Sequence, residues 1–324
     1  MKLPAVKLSV VICTRNRPQD VAVCLPTILA CLRDDWQVVL VDQSDGSDTR
    51  AIAERLAAVH PSLHYLPTAT VGKSRALDIG ISHTRGEILA FTDDDCEAPP
   101  DWLERVVAEF KVAPGVDILF GPVLPSPAIP EVQSVCVPAW SFPEARDMRP
   151  GEVCGMGANM ALRRAALARL PDGPRFDPAL GPGAPFPAGE EGDFVYRLRR
   201  AGARAALRPA LRLYHRAWRT PDHWRSVLHG YGVGDAAFFA KHARCGDGWA
   251  ARQLAGRLIS LSARAGAKAL LRRHNNDAVV IRGLCQGLAS SLRLGVDRRT
   301  RLYRAAPDVS APEPSVLLGH GRVR

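Results

Sequence analysis

The sequence predicts an α/β fold built on a mostly parallel sheet flanked by helices. Short runs of β-branched, apolar residues alternate with stretches of helical periodicity, a pattern typical of parallel strands that are buried on both faces. Polar residues follow these runs, at the strand ends where ligands bind in such sheets. With 324 residues, 47% of them hydrophobic, the chain is long enough to bury a large core.

The N-terminal part supplies the alternating elements in order. The predicted strands are 8–13, 36–42, 63–66 and 87–93, and the predicted helices are 19–32, 49–59 and 74–84. Thr14, Asp42 and Asp93 lie at the ends of three of these strands. Because the carboxyl ends of parallel strands share one edge of a sheet, we expect these side chains to line one site.

Beyond residue 120 the alternation ends. The proline-rich stretch 121–152 predicts a long loop or lid. The later predicted elements are a strand entering a short helix over 157–170, a helix over 190–201, short strands over 203–209 and 211–216, and a helical region over 221–294. The residues after Tyr303 are polar and rich in Pro, Gly and Arg, which predicts disorder.

Charge is distributed unevenly along the chain. The net charge of +10 is the sum of −8 up to residue 195 and +18 from residue 196 onward. The first part can therefore hold a cation, and the second can face an anionic partner. The eight cysteines include no CxxC pair, which favours reduced thiols in a cytoplasmic protein. We expect no leader peptide and no membrane span, since no apolar run reaches about 18 residues.

Three consecutive carboxylates, Asp93, Asp94 and Asp95, follow the fourth strand in "ILAFTDDDCEAPPDWLERV". Two carboxylates two residues apart at a strand end can bind ribose hydroxyls and a hard divalent cation. The alternative is an acidic cap for the helix that starts near residue 100, because helix N-termini favour negative charge. These residues alone leave both interpretations open.

An ordered set of motifs resembles the family 2 glycosyltransferases. They are "VVICTRNRP", "VVLVDQSDGSDT", "GKSRALDIGISHTRGEILAFTDDDCEAPPDWLE", "GMGANMALRRAAL" and "GEEGDFVYRLRRAG" followed by "LYHR". The resemblance covers about residues 6–218. It implies the Rossmann-like GT-A fold and inverting transfer of a sugar from a nucleotide-diphosphate donor to a hydroxyl acceptor, aided by Mn²⁺ or Mg²⁺.

The resemblance also implies roles for residues on the donor side. Thr14, Arg15 and Asp42 would contact the base and ribose, and uracil is the expected base. Asp45 and Asp48 are other candidates for the role of Asp42, which could instead be a simple turn carboxylate. Arg75 would contact the base or the diphosphate, unless it is a solvated helix residue. Asp93 would bind ribose, Asp94 the donor sugar and Asp95 the cation.

Further roles follow for the second half of the resemblance. Glu191, in the acidic pair Glu190–Glu191, would be the general base, although Asp is commoner at this position in the family. Glu190 and Asp193 are the alternative candidates for the base. For Asp193, helix capping is the simpler role. His215 would complete the metal site, although a lone strand histidine is more often structural. Asn159 would bind donor or acceptor, near glycines that let the backbone approach the sugar.

The resemblance and the residue pattern beyond it divide the chain into regions. Residues 1–220 would form the catalytic domain, with a nucleotide-binding half (1–122) and an acceptor half (123–220). Residues 221–305 would form a basic helical appendage, and 306–324 a disordered tail. Leu254, Leu258, Leu261, Ala265 and Ala269 share one face of a helix in this appendage.

The basic helices have two interpretations as an interaction surface. They are either solvated helix faces or a surface that docks on anionic lipid at the inner face of a membrane. A nucleic-acid-binding protein is the rival function class, but the basic residues are spread along helices with few interleaved aromatics. A dinucleotide-dependent dehydrogenase is excluded because "CTRNRP" replaces the glycine-rich turn after the first strand.

Overall fold

The computed structural model describes residues 7–127, 136–149, 151–153, 155–216, 219–271 and 276–304. The strands are β1 (Leu8–Thr14), β2 (Trp36–Asp42), β3 (Leu63–Pro67), β4 (Ile88–Asp93), β5 (Cys96–Glu97), β6 (Ile118–Phe120), β7 (Val123–Pro125), β8 (Arg146–Asp147), β9 (Met160–Arg163), β10 (Ala205–Leu207), β11 (Leu213–His215), β12 (Val296–Asp297) and β13 (Leu302–Tyr303). The α-helices are α1 (Pro18–Leu29), α2 (Asp48–Ala57), α3 (Lys73–Ser82), α4 (Trp102–Val112), α5 (Glu190–Arg200), α6 (Pro221–Arg244), α7 (Gly248–Leu270) and α8 (Asn276–Arg293). Two 3₁₀ helices, Gly157–Asn159 and Arg164–Arg169, flank β9.

The main sheet has eight strands in the order β3-β2-β1-β4-β9-β6-β10-β8. The first four are parallel, and β9 runs antiparallel between β4 and β6. The strand β10 is parallel to β6, and β8 forms an antiparallel edge. This confirms the predicted α/β fold with a mostly parallel sheet flanked by helices.

Helices cover both faces of the sheet. On β1, Leu8 and Ile12 pack with α1, α2 and α4, while Val11 packs on the opposite face with α3 and α5. All three β1 side chains are almost fully buried. Burial on both faces explains why these strands appear in the sequence as unbroken apolar runs.

The stretch 121–152 contains more structure than the predicted loop. It contributes β7 to a three-stranded sheet, β5-β11-β7, and β8 to the edge of the main sheet. Both strands are very short, and such pieces carry too little periodicity to be seen in sequence. Residues 128–135 of this stretch lie outside the described part of the chain.

The C-terminal helices do not all lie apart from the domain that holds the main sheet. Helix α6 buries the segment 232–242 except for Asp235, and a Cβ on Gly234 would lie only 2.4 Å from the carbonyl oxygen of Ala188, just before α5. Helices α7 and α8 continue the bundle from α6. The predicted disordered tail, 306–324, falls outside the described residues.

Helix α7 has one packed face and one exposed stripe. The predicted apolar face is partly as expected: Leu254 and Leu261 are buried, whereas Ala269 is exposed. Within the described residues, each helix is too short or too polar to cross a membrane.

Candidate active site

A cleft of about 650 Å³ opens at the carboxyl ends of the parallel strands. The end of β1 provides Thr14, the end of β4 provides Asp93, and the first turn of α5 provides the acidic pair. Eight predicted site residues border this cleft: Thr14, Arg15, Asp93, Asp94, Asp95, Glu190, Glu191 and His215.

The three consecutive carboxylates are held by neighbouring donors. Thr14 Oγ1 donates to Asp94 at 2.7 Å. The two terminal nitrogens of Arg17 donate to Asp94 at 2.6 Å and to Asp95 at 2.7 Å. Burial and the charges of Asp95 and Asp93 raise the pKa of Asp94 to about 7, although Arg17 and Thr14 act in the opposite direction.

A second cation, Lys73, joins the two acidic parts of the cleft. Its Nζ lies 2.6 Å from Asp93 Oδ1 and 3.4 Å from Glu190 Oε1. Its backbone N–H, at the start of α3, donates to the carbonyl of Pro182 at 2.9 Å. Burial favours the neutral amine, but the carboxylates outweigh it and raise the pKa of Lys73 well above its usual value.

Pairing of β5 with β11 brings His215 to the acidic run, because it sets His215 opposite Cys96. His215 Nε2 lies 3.1 Å from Asp95 Oδ1. Asp95 Oδ1 is buried without a hydrogen-bond partner among the described residues, and so is His215 Nδ1, the ring nitrogen that does not face Asp95. Burial disfavours the Asp95 carboxylate, yet His215 and Arg17 hold its pKa well below the usual range.

Asp95, Cys96 and His215 offer ligand atoms within 4.8 Å of one another. Burial and nearby carboxylates raise the pKa of the Cys96 thiol well above its usual value, so the neutral thiol persists. A hard divalent cation prefers oxygen and accepts imidazole nitrogen. Asp95 Oδ1 and His215 Nε2 therefore fit such a cation, and the unpartnered Asp95 Oδ1 indicates that the described residues alone do not satisfy it.

The two glutamates of the acidic pair differ in environment. Gly189, at φ +94° in the left-handed region, turns the chain into α5. Glu190 is buried, and burial together with the charge of Glu191 raises its pKa to about 8, against the effect of Lys73. Glu191 is half-buried at the cleft, where a Cβ on Gly157 would approach its Cβ to 3.2 Å. Of the two, Glu191 is the carboxylate better placed to accept a proton from a ligand.

Asp193, the other alternate base, points into the protein core. It is fully buried and lies 2.6 Å from Lys241 Nζ, 2.8 Å from Arg197 Nε and 2.8 Å from His242 Nε2. Burial opposes its charge, but Lys241 and Arg197 keep its pKa well below the usual range. We correct its predicted role to a structural one, since its carboxylate does not reach the cleft.

Asn159, Asp42 and Arg75 were also predicted site residues, but none of them borders the cleft. Asn159 is 2% exposed; its Nδ2 donates to the carbonyls of Pro122 and Leu211, and its Oδ1 accepts from Trp102. Its amide thus holds the fold together, which corrects the predicted ligand contact.

Asp42 and Arg75 are the other two. The buried Asp42 carboxylate accepts from the Tyr65 hydroxyl and the Ser44 backbone N–H, each at 2.8 Å. Arg75 is half-buried on α3. Neither side chain borders the cleft, so direct nucleotide contact by either residue stays a prediction.

Sequence reasoning missed several residues that border the cleft, above all Arg17 and Lys73. Both follow the carboxyl end of a strand, β1 and β3, and the rule that placed Thr14 and Asp93 applies to them equally. Tyr231 and Asp235 on α6, and Arg257 on α7, also border it. No local signal in the helical sequence marks these three residues.

The chain matches known proteins over its N-terminal half, which contains the parallel strands β1 to β4. The model of the family described as "Glycosyl transferase family 2" matches residues 9–170, half of the chain. The chain belongs to glycosyl transferase family 2. The motif resemblance is thereby confirmed.

Curated relatives of this family 2 chain include glycosyltransferase AglE of Haloferax volcanii, 30% identical over 119 residues, which are 36% of this chain and 39% of the relative. Succinoglycan biosynthesis protein ExoM of Rhizobium meliloti is 28% identical over 208 residues, 61% of this chain and 63% of the relative. An undecaprenyl-phosphate 4-deoxy-4-formamido-L-arabinose transferase of Enterobacter sp. is 29% identical over 119 residues, 35% of this chain and 36% of the relative. The chain thus spans less than two thirds of the length of each.

Solved structures share the fold of this family 2 chain. One is the mannosyltransferase PcManGT of Pyrobaculum calidifontis, solved in complex with GDP-Man and Mn²⁺, with a TM-score of 0.59 at 18% identity. The match covers 88% of this chain and 87% of the PcManGT chain. S. aureus TarS 1–349 in complex with UDP has a TM-score of 0.51 at 17% identity, covering 71% and 65%. The fold is GT-A.

Proposed function

We propose that this chain transfers a sugar from a nucleotide-diphosphate donor to a hydroxyl acceptor, with inversion at the anomeric carbon. The observation that carries the proposal is the meeting of Asp95, His215 and Glu191 in one cleft. It joins a cation-binding pair to a carboxylate that can act as a base. Family membership and the GT-A fold support the same reaction class.

The donor side of the reaction uses the strand ends. Thr14 and Arg15 border the region proposed for the nucleoside, and Asp93 is proposed to accept hydrogen bonds from the ribose hydroxyls. Arg17 and Lys73 add positive charge beside the carboxylates. This charge favours the binding of a diphosphate in a cleft that otherwise carries a strong negative charge.

Asp95 and His215 are the residues we propose for a divalent cation, Mn²⁺ or Mg²⁺. The unpartnered Asp95 Oδ1, with His215 Nε2 3.1 Å away, supports this, because buried polar atoms without partners are rare in folded proteins. When bound, such a cation neutralises the negative charge that develops on the departing diphosphate.

Glu191 is the proposed general base. Its carboxylate takes the proton of the acceptor hydroxyl as that oxygen bonds to the anomeric carbon. The bond from this carbon to the diphosphate oxygen breaks, and its electron pair leaves with the nucleoside diphosphate. Direct displacement of this kind inverts the anomeric configuration.

The base of the nucleotide is proposed to be uracil, as the sequence resemblance implies. The neighbours TarS and PcManGT were solved with UDP and GDP-Man, respectively. At these identities the neighbours inform only the fold. Both UDP-linked and GDP-linked sugars therefore belong in the test.

A contact with an anionic membrane at its inner, cytoplasmic face is proposed for the C-terminal helices. The net charge of +18 from residue 196 onward is complementary to the negative charge of such a membrane. One relative is named as an undecaprenyl-phosphate transferase, which supports a lipid-linked acceptor here. A polysaccharide precursor is the alternative, given the succinoglycan biosynthesis relative.

The test is a screen of UDP- and GDP-sugars for release of nucleoside diphosphate, with Mn²⁺, Mg²⁺ or EDTA. We expect one donor to be hydrolysed slowly, and only with a divalent cation. Asp95→Asn should abolish turnover and remove the gain in donor affinity that the cation gives. Full activity in excess EDTA would contradict the metal site, and inertness toward every nucleotide sugar would contradict the reaction class.

A further inference from the structure

The negative charge of the acidic run is already partly offset by the chain itself. Arg17 directly precedes α1, and its guanidinium contacts Asp94 and Asp95 through its two terminal nitrogens. Its Nε lies 2.9 Å from Asp20 on the same helix. The Arg17 side chain is 34% exposed and borders the cleft.

Asp95 is shared between Arg17 and the proposed cation site. Its Oδ2 accepts from Arg17 at 2.7 Å, and its Oδ1 faces His215 at 3.1 Å without a hydrogen bond. A cation held by Oδ1 would therefore lie close to a permanently charged guanidinium. The two positive charges repel strongly because Asp95 is nearly fully buried.

We propose that Arg17 is a charge gate that makes cation binding depend on the nucleotide. In the free protein its guanidinium lowers the affinity of the Asp95–His215 pair for a divalent cation. A nucleoside diphosphate brings negative charge and removes this penalty. The inference rests on the proposed function, whose donor is the diphosphate in question.

Arg17 has the hydrogen-bonding capacity for this exchange. A guanidinium has more N–H donors than its three carboxylate contacts use, and its geometry suits phosphate oxygens. Because the side chain borders the cleft, the remaining donors are within reach of a ligand there. Arg17 can thus keep its carboxylate contacts while it binds a phosphate.

The test measures Mn²⁺ binding, by paramagnetic resonance of the free ion, with and without UDP or GDP. Without nucleotide, Arg17→Gln should bind Mn²⁺ roughly tenfold more tightly than the wild type, since a nearby like charge is removed. The enhancement of Mn²⁺ affinity by nucleotide should shrink in this variant. Arg17→Lys, which keeps the charge, should resemble the wild type.

Two controls make the result specific. Arg33→Gln removes one positive charge from a surface pair with Glu104 and should leave Mn²⁺ affinity unchanged. Asp95→Asn should abolish the tight Mn²⁺ site in every background. If Arg17→Gln does not fold, Arg17→Gln/Asp94→Asn restores the charge balance of the cluster and is measured in its place, with Asp94→Asn as its reference.

The outcomes separate this inference from the proposed function. Mn²⁺ affinity that is unchanged or weaker without Arg17 overturns the charge gate while leaving the metal site intact. A wild-type protein that binds no Mn²⁺ even with nucleotide overturns the proposed metal-assisted function itself. Tighter binding by Arg17→Gln together with a smaller nucleotide effect supports the gate.

Discussion

Protein cations hold the acidic side chains of the cleft in place. Lys73 lies between Asp93 and Glu190, and Arg17 lies between Asp94 and Asp95. Repulsion within the acidic run is therefore offset before any ligand arrives. A ligand that enters the cleft meets carboxylates with fixed positions.

Glu191→Gln tests the assignment of the base. The amide cannot accept a proton, so turnover should fall by roughly 10²–10⁴-fold. Affinity for the nucleoside diphosphate should change little, because the residues proposed to contact the nucleotide and the cation are Thr14, Asp93 and Asp95, at the strand ends. Steady-state kinetics and calorimetric titration measure the two quantities. If Glu190→Gln has this effect and Glu191→Gln does not, the assignment within the pair is wrong.

Glu190 should make stability depend on pH. Its pKa is raised to about 8 by burial and by Glu191, so the folded state keeps a proton that the unfolded state releases. Stability should therefore fall as the pH rises from the ordinary glutamate pKa toward 8. Glu190→Gln should flatten this decline in urea unfolding measured at several pH values. Identical slopes for variant and wild type would count against a protonated Glu190.

Sequence reasoning located the residues with a local signal. Asp93 and Asp95 lie at a strand end and Glu191 at a helix start, where chain direction indicates position, and the resemblance supplied their predicted roles. Lys73 and Arg17 also follow strand ends, but whether such a basic side chain pairs with the acidic run or stays solvated depends on the tertiary fold. The inward direction of Asp193 depends on partners that only the tertiary fold provides.

At the scale of elements, a buried ionic cluster joins α6 to α5. Lys241 Nζ lies 2.5 Å from Asp177 and 2.6 Å from Asp193, and all three side chains are fully buried. The backbone N–H of Tyr303 on β13 donates to Asp177 at 2.9 Å. The C-terminal elements are thereby bound to the helix that presents the acidic pair.

Lys241→Met should destabilise the protein by about 3–5 kcal/mol, because it leaves two buried carboxylates without their shared cation. The double variant Lys241→Met/Asp177→Asn removes one of those charges and should recover part of the loss. Urea unfolding gives these free energies. Arg33→Gln, in an exposed pair, is the matched control and should cost about 1 kcal/mol or less. A Lys241→Met variant as stable as the wild type would show that the cluster contributes nothing.

Elements differed in how well the sequence predicted them. The first four strands were found within about two residues, since long apolar runs give the strongest pattern. The pairing of β5 with β11, which delivers His215 to Asp95, joins two strands of two and three residues. The strand that holds His215 was predicted within 211–216, but its pairing with β5 leaves no signal in the sequence, so the resemblance alone indicated the role of His215.

At the scale of the whole molecule, the predicted membrane surface depends on which side chains of the C-terminal helices face outward. Arg264 and Lys268 on α7 reach Asp277 on α8, at 3.6 and 2.6 Å. These two basic residues therefore tie the helices together. A stripe of α7 faces outward instead, formed by Arg252, Ile259, Ala263 and Leu270, which are all exposed and share one side of the helix.

The α7 stripe should bind an anionic lipid surface. It combines a cation with apolar side chains that are 71% exposed at Ile259 and 86% exposed at Leu270. Such a helix face binds an anionic lipid surface through charge and shallow apolar burial. Cosedimentation with anionic vesicles should weaken between low and moderate salt, because screening acts over about 8 Å at physiological ionic strength. Vesicles of neutral lipid should bind poorly.

Substitution of the stripe should separate membrane binding from chemistry. Ile259→Ser/Leu270→Ser should reduce vesicle binding several-fold while hydrolysis of the soluble donor stays unchanged, because neither residue borders the cleft. Val59→Ser/Val112→Ser is the matched control, with side chains exposed to a similar degree on the N-terminal half. Equal loss in both variants would assign binding to general surface hydrophobicity. If the protein cosediments equally with anionic and neutral vesicles, the predicted charge-dependent membrane contact is wrong and the outer face of α7 is simply solvated.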